Sequence, residues 1–254
     1  MAADGTNDRG RGRDGYRRIL LKVSGESLCA AGGTGFDRTA IHAACGQIKE
    51  IADQGIEVAV VVGGGNLVRG AHLTSIDIDR ATADYMGMLG TVINALALQG
   101  ALEVMGCETR VLSAIAINQV VEPYIRRRAT RHLERKRIVI LAAGTGNPFV
   151  STDTAAALRA RELGCEVILK GTKVGGVYTK DPKRFEDAER LERLDYLDVI
   201  NRQIEVMDHT AITMCREAGI PIVVFDMLDT ENISRVLSGD DEVGTTIAHF
   251  DRES

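Results

Sequence analysis

The chain alternates between short, solidly apolar runs and longer stretches in which apolar residues recur every three or four positions. The solid runs, at 17–23, 56–62, 137–143, 166–170 and 220–225, are rich in Val, Ile and Leu and read as strands. Helical spacing begins near Asp37, where Ile41, Ala44, Cys45, Ile48 and Ile51 share a face and Gly55 supplies the C′ residue. A long helix is expected over about 79–105, with Met86, Leu89, Ile93, Leu96 and Ala97 as its apolar stripe. Another runs from 154 to 163 and is closed by Gly164, and further helices are expected near 196–201, 205–217 and 231–237. Short strands near 109–113 and 245–248 and polar helical pieces over 122–136 complete the pattern. Strands that are apolar on both faces, each followed by a helix, predict an α/β fold, a three-layer sandwich around a mostly parallel sheet.

Residues 1–15 carry no apolar residue after Ala3 and mix Asp with Arg, so a solvated, disordered tail is expected there. No linker or repeat divides 16–254, which reads as one domain. With 44% hydrophobic residues, 4% aromatics and no Trp, the core should be sizeable and aliphatic. A net charge of −5 gives no global reason to expect nucleic acid or an anionic membrane, and the arginines at 126–128 and 131 read as a solvated helix face. The five cysteines, at 29, 45, 107, 165 and 215, stand far apart without a Cys-x-x-Cys pair, which suits reduced, buried thiols. The five histidines offer no metal-ligand spacing, so no protein-held metal is expected. No 18-residue apolar run and no signal-type N-terminus is evident, and a cytoplasmic protein is expected.

Candidate chemistry gathers after the strands. In an open parallel sheet ligands sit beyond the strand C-termini, and four strand ends here run into glycine turns, at 24–35, 63–70, 144–147 and 171–176. The most informative stretch is Gly144-Thr145-Gly146-Asn147-Pro148-Phe149-Val150-Ser151-Thr152-Asp153, set between a strand and a helix. Such a turn brings backbone N–H groups close to a phosphate, and the helix dipole favours negative charge there. Asp153 conflicts with that unless cations are shared; otherwise Thr152 or Asp153 is a simple N-cap. Familiar phosphate motifs fail. No Gly-Lys dipeptide occurs, which excludes a P-loop, and Phe149 stands where a dinucleotide fingerprint needs glycine. Cations at the strand ends remain, namely Lys22, Arg69, Lys170 and Lys173. Phosphoryl transfer needs such an arrangement, because its catalysis is mostly positioning and charge neutralisation.

The ordered motifs Lys22-Val-Ser-Gly-Glu26, Gly63-Gly-Gly-Asn-Leu-Val-Arg-Gly70, Asp84-Tyr-Met-Gly-Met-Leu89, Gly144-Thr-Gly-Asn-Pro-Phe149 with Thr152-Asp153, and Thr172-Lys-Val-Gly-Gly-Val-Tyr-Thr-Lys-Asp-Pro182 resemble those of bacterial-type UMP kinases in the amino-acid-kinase superfamily. The likeness covers about residues 17–249. It implies transfer of the ATP γ-phosphoryl group to UMP, with Mg²⁺ carried on the ATP phosphates and a homo-oligomer, a hexamer in the family. It implies catalytic roles for Lys22 and Asp153, the carboxylate organising the lysines. ATP contacts are implied for Lys22, Val23, Ser24, Gly25, Gly65, Arg69, Thr172, Tyr178 and Asp181. For UMP it implies Gly64, Asp84 at the ribose hydroxyls, and Thr145, Gly146, Asn147, Pro148, Phe149, Val150, Ser151 and Thr152 around the base and phosphate. The N-terminal part would mainly hold UMP and the C-terminal part mainly ATP.

The acceptor chemistry agrees. A phosphate monoester with a second pKa near 6 is largely a dianion at pH 7, so no general base is required. Two departures stand out: Gly175 replaces an acidic residue common before Gly-Val, and the 29–37 loop is long, with Asp37 after Phe36. Two alternatives stay open, a sister carboxylate or carbamate kinase and a non-catalytic nucleotide sensor or storage subunit on the same fold.

Overall fold

The computed structural model of the chain describes residues 15–68, 77–180, 182, 184–227, 229, 231–240 and 242–250. Its strands are β1 (Arg18–Val23), β2 (Glu57–Val62), β3 (Thr109–Ser113), β4 (Glu122–Pro123), β5 (Ile138–Ala142), β6 (Val167–Thr172), β7 (Val177–Tyr178), β8 (Arg190–Leu191), β9 (Arg193–Asp195), β10 (Ile222–Asp226) and β11 (Thr245–Ala248). The α-helices are α1 (Arg38–Asp53), α2 (Arg80–Val104), α3 (Arg126–Glu134), α4 (Thr152–Leu163), α5 (Tyr196–Asn201), α6 (His209–Ala218) and α7 (Glu231–Leu237). Among the described residues, nine strands form one sheet in the order β4-β3-β5-β2-β1-β6-β10-β11-β9. Every pairing in it is parallel except β10 with β11. The four strands that end in glycine turns are therefore consecutive neighbours, β5-β2-β1-β6, and their turns converge on one edge.

Alternation along the strands divides the core. Ile19, Leu21, Val23, Val58, Val60 and Val62 face α1, α2 and α7, whereas Leu20, Ala59, Val61 and Ile168 face α3, α4, α5 and α6. Successive strand residues point to opposite faces, so both layers are built from the same short runs. On the second face, Ala156, Ala157 and Ala160 of α4 are almost fully buried, and their small side chains let the helix lie close over β1, β2 and β6.

Helix ends follow local chemistry. Asp37 caps α1 by accepting from Ala40 N–H at 2.8 Å, and Gly55, at φ +79°, takes the C′ position expected of it. Two expectations need correcting. The stripe assigned to α2 is largely its outer face, for Leu89 and Ile93 are about half exposed, while Met88, Thr91, Val92, Asn94, Ala95 and Leu98 point inward. By length and composition alone α2 is also long and apolar enough to cross a bilayer, a property shared by buried core helices, and this fold buries its inner face against the sheet. The helix expected over 205–217 begins only at His209, because Asp208 caps it through Ala211 N–H. The hairpin of β7 with β8 and the short strand β9 were too brief to show any period.

After β1 the chain makes one 3-10 turn, Gly25–Leu28, with Ser24 as its N-cap. A Cβ at Gly25 would lie 2.6 Å from Asn66 Oδ1 and 2.8 Å from both Gly63 O and Gly65 N. Backbone cannot yield as a flexible side chain can. Gly25→Ala should therefore lower stability by about 1–3 kcal/mol, read as a fall in urea midpoint; an unchanged midpoint would mean that the two turns are not in contact.

Candidate active site

The parallel register places Lys22 of β1 directly beside Lys170 of β6. Both share the parity of the strand residues that face α4, so two ammonium groups project to the same side on strands about 4.8 Å apart. Like charges so placed repel. What reconciles them is Asp153, in the first turn of α4. Lys170 Nζ donates to Asp153 Oδ2 at 3.1 Å. Lys22 Nζ stands 2.8 Å from Oδ1, an ion pair at short range without hydrogen-bond alignment. All three side chains are mostly shielded, at 11%, 13% and 17% exposure for Lys22, Lys170 and Asp153.

Burial works against the Asp153 charge, but the two ammonium groups, Lys22 first, outweigh it and hold the carboxyl below the usual carboxylate range. For Lys170 the balance is opposite. Burial, with repulsion from Lys22, pulls its pKa below the ordinary lysine value despite Asp153. Lys170 also donates to the Val206 carbonyl. The Lys22–Asp153–Lys170 trio by itself carries one positive charge in excess at the ends of β1 and β6, and Asp208, at the start of α6, also acts on Lys170.

Ser151, not Thr152 or Asp153, caps α4, accepting from the N–H groups of Asp153 and Thr154 at 3.0 and 3.2 Å. That frees the Asp153 carboxylate for the lysines and removes the plain N-cap reading. Ser151 Oγ in turn donates to Asp208, which also accepts from Thr154 Oγ1 at 2.8 Å while capping α6. One carboxylate thus ties together two helix N-termini.

Next to this cluster lies a cavity of about 170 Å³. Gly64, Gly65 and Val68 form one wall, Ala83, Asp84, Gly87, Met88 and Thr91 of α2 another, and Gly144, Thr145, Val150, Ser151 and Thr152 the third. Gly64 is a glycine for steric reasons, since a Cβ there would lie 2.6 Å from Gly87 O on α2. Thr91 Oγ1 accepts from Ala143 N–H at 2.7 Å and fixes the start of the 144–147 turn. That turn is sharply folded, with positive φ at Ala143, Gly144, Gly146 and Phe149. Phe149 N–H donates to Asp84 Oδ2 at 2.7 Å, and Arg80 holds Oδ1 at 2.9 Å.

Of the residues expected at UMP, Gly64, Asp84, Thr145, Val150, Ser151 and Thr152 line the cavity. Gly146, Asn147 and Pro148 belong to the same turn without lining it, and the Phe149 side chain is 71% exposed. The expected ATP residues divide. Lys22, Val23, Ser24, Gly25 and Gly65 sit at the ends of β1 and β2. Thr172 closes β6, donating to Val174 O at 2.6 Å, and Tyr178 is on β7, its hydroxyl 3.1 Å from where a Cβ of Gly175 would stand. These two lie beyond β1 from the cavity, as the strand order requires. Arg69 and Asp181 lie outside the described residues. Lys170 was legible as a cation at a strand end that Asp153 could orient together with Lys22; its place directly beside Lys22 depends on register, which sequence does not display. Thr91, Asn94 and Asp208 gave no signal at all.

Residues 17–226 match the profile of the Amino acid kinase family. The chain belongs to that family. Among solved structures, this amino acid kinase family member is similar to UMP kinase from Bacillus anthracis, at 40% identity and a TM-score of 0.89 over 92% of this chain and 96% of that one. It is also similar to UMP kinase from Ureaplasma parvum, at 35% identity and a TM-score of 0.86 over 92% and 99% of the two chains. Uridylate kinase from Archaeoglobus fulgidus shares 27% identity over 91% and 99%, with a TM-score of 0.70. The family and fold expected from the motifs are thereby borne out.

The depressed Asp153 pKa has a testable sign. A carboxyl held lower in the folded than in the unfolded chain adds stability above the unfolded value, about 3.9, and loses it as pH falls through the folded value. Urea melts of wild type and Asp153→Asn should differ by about 3–5 kcal/mol near neutral pH, and the gap should close as pH falls below that point. A gap that does not narrow at all as pH falls below about 3.9 would show that charge is not its source.

Proposed function

We propose that this chain is an ATP-dependent UMP kinase, converting UMP and ATP to UDP and ADP. The observation that carries the reading is the Lys22–Asp153–Lys170 cluster, set between the cavity and the β6–β7 side of the sheet edge. A phosphate oxygen of UMP attacks the γ-phosphorus of ATP, the bond to the β–γ bridging oxygen breaks, and ADP leaves with that oxygen and its electron pair. UMP is already mostly dianionic near pH 7, so no proton need be removed. The barrier is repulsion between anions, and ammonium groups held by a buried carboxylate offset it without reorganising.

In this reading UMP takes the cavity side, with its phosphate toward the Gly63–Gly65 turn and the start of α4. ATP takes the side of β6 and β7, with Thr172, Tyr178 and Asp181 at the adenosine and Arg69 at the phosphates. For Asp84 to accept from the ribose hydroxyls it must share or give up its bonds to Phe149 N–H and Arg80. No three His, Cys, Asp or Glu side chains among the described residues are grouped as metal ligands, and Asp153 is engaged by lysines. Mg²⁺ carried on the ATP phosphates would supply further charge neutralisation, with Lys22 and Lys170 the cations this chain itself contributes. We place the protein in the cytoplasm as a homohexamer. The exposed Tyr85, Leu89 and Ile93, one helical turn apart on α2, support a contact between copies.

A carboxylate kinase fits less well, because Asp84 lines the acceptor cavity and would repel an amino-acid carboxylate. The deciding experiment is coupled ADP release with MgATP against UMP, CMP, AMP, GMP, aspartate and glutamate. Strong preference for UMP is expected, since polar sites reject wrong partners by leaving buried groups unpaired. Comparable turnover of CMP, or aspartate outrunning UMP, would end the proposal. Asp84→Ala should mainly raise KM for UMP, because ribose contacts act equally in ground and transition states; a rise confined to KM for ATP would mean the two subsites are exchanged.

A further inference from the structure

Two side-chain amides are buried where the Gly63–Gly65 turn meets α2: Asn66 is 1% exposed and Asn94 is fully shielded. They face each other in a ring. Asn94 Nδ2 donates to Asn66 Oδ1 at 2.7 Å, and Asn66 Nδ2 donates to Asn94 Oδ1 at 3.1 Å. Each amide uses its second hydrogen on a loop carbonyl, Asn94 on Gly63 O at 2.7 Å and Asn66 on Gly35 O at 2.8 Å. Gly35 N–H returns a bond to Asn66 O at 2.9 Å. No donor of the pair is left over. An amide amid the apolar side chains Val92, Ala95 and Leu98 is costly unless fully partnered, and an apolar residue would fill the place more cheaply. The pair therefore calls for an explanation beyond packing.

Its position supplies one. The Gly63 carbonyl that Asn94 holds, and the Asn66 oxygen that Asn94 donates to, are two of the three atoms against which Gly25 packs. Gly25 follows Lys22 by three residues. The third atom is Gly65 N, and the N–H groups of Gly64 and Gly65 take no partner among the described residues. We infer that Asn94, acting with Asn66, is a positioning residue for phosphoryl transfer, fixing the Gly63–Gly65 turn and the strand end of Lys22 relative to each other. This rests on the phosphotransfer reading of that turn. Neither amide touches the reacting atoms; their effect passes through backbone placement, to which transfer is sensitive because a shift near 1 Å can cost about 100-fold.

The test compares Asn94→Asp, which keeps the shape but removes both donors, with Asn94→Ala, Asn66→Ala, their double variant, and Leu98→Ala. Leu98 is buried on the same helix, one turn on, with its carbonyl accepting from Cys45 Sγ of α1, and serves as a control for stability loss alone. Expected are a kcat loss of about 10- to 100-fold in Asn94→Asp, with both nucleotide KM values within about threefold of wild type. The double variant should be no slower than the worse single, since the ring acts as a unit. Leu98→Ala should lose urea resistance while keeping kcat. An equal kcat loss in Leu98→Ala, multiplying losses in the double variant, or a wild-type kcat in Asn94→Asp would overturn the inference. Wild-type turnover of UMP decides the substrate reading separately; if another acceptor is the true one, the same variant ratios are read with it.

Discussion

Two lysines on adjacent parallel strands, pointing the same way, are an electrostatic fault that the fold repairs with one carboxylate. Removing Asp153 leaves two mostly buried ammonium groups without the carboxylate that pairs them, a change that costs several kcal/mol in such clusters. The same repair has a chemical consequence. Asp153 answers one of the two positive charges and Asp208 acts on Lys170 from α6, so the trio keeps two ammonium groups oriented at the sheet edge. In the proposed kinase, stability and phosphate recognition rest on one arrangement, and much of the surrounding structure holds Asp153 in place: the Ser151 cap, the Asp208 link between α4 and α6, and the alanine face that lets α4 lie close to β1.

The four glycine turns serve that cluster in different ways. Gly25 and Gly64 are small because backbone approaches them within van der Waals contact, from the 63–65 turn and from α2 respectively. Gly144 and Gly146 bend the chain at positive φ, and Phe149 takes the same left-handed conformation, its N–H donating to Asp84. A non-glycine residue there is strained, which places stored strain beside the proposed acceptor site. Helix α2 is common to these features. Its inner face reaches the 144–147 turn through Thr91 and the 63–65 turn through Asn94, while its outer face carries Tyr85, Leu89 and Ile93.

Much of this was legible in the chain because it is local. Solid apolar runs marked the strands of the sheet, since a strand buried on both faces has no polar phase, and Asp37, Gly55 and Gly164 marked helix ends by side-chain chemistry. The glycine turns and Lys22 pointed to phosphate. What escaped depends on register or on surroundings. The sequence put Lys22 and Lys170 at strand ends within reach of Asp153 but not side by side in register, and nothing in it says that Asn94 in an apolar helix meets Asn66. The α2 stripe misled because this helix is apolar on both faces, so periodicity could not distinguish the buried side. The cysteines behaved as expected: all are free, and burial pushes the Cys45, Cys165 and Cys215 thiols up to about 12, which keeps them protonated and inert.

The central claim is that Asp153 matters by orienting ammonium groups toward a moving phosphoryl group rather than by binding substrate. Asp153→Asn keeps shape and removes charge, so steady-state kinetics with calorimetric titration of UMP separates the two roles. The account predicts a kcat loss on the order of 100-fold or more, the scale of losing one preorganised electrostatic group, with UMP affinity unchanged or tighter. A variant with normal kcat, or one whose main defect is weak UMP binding, would contradict it.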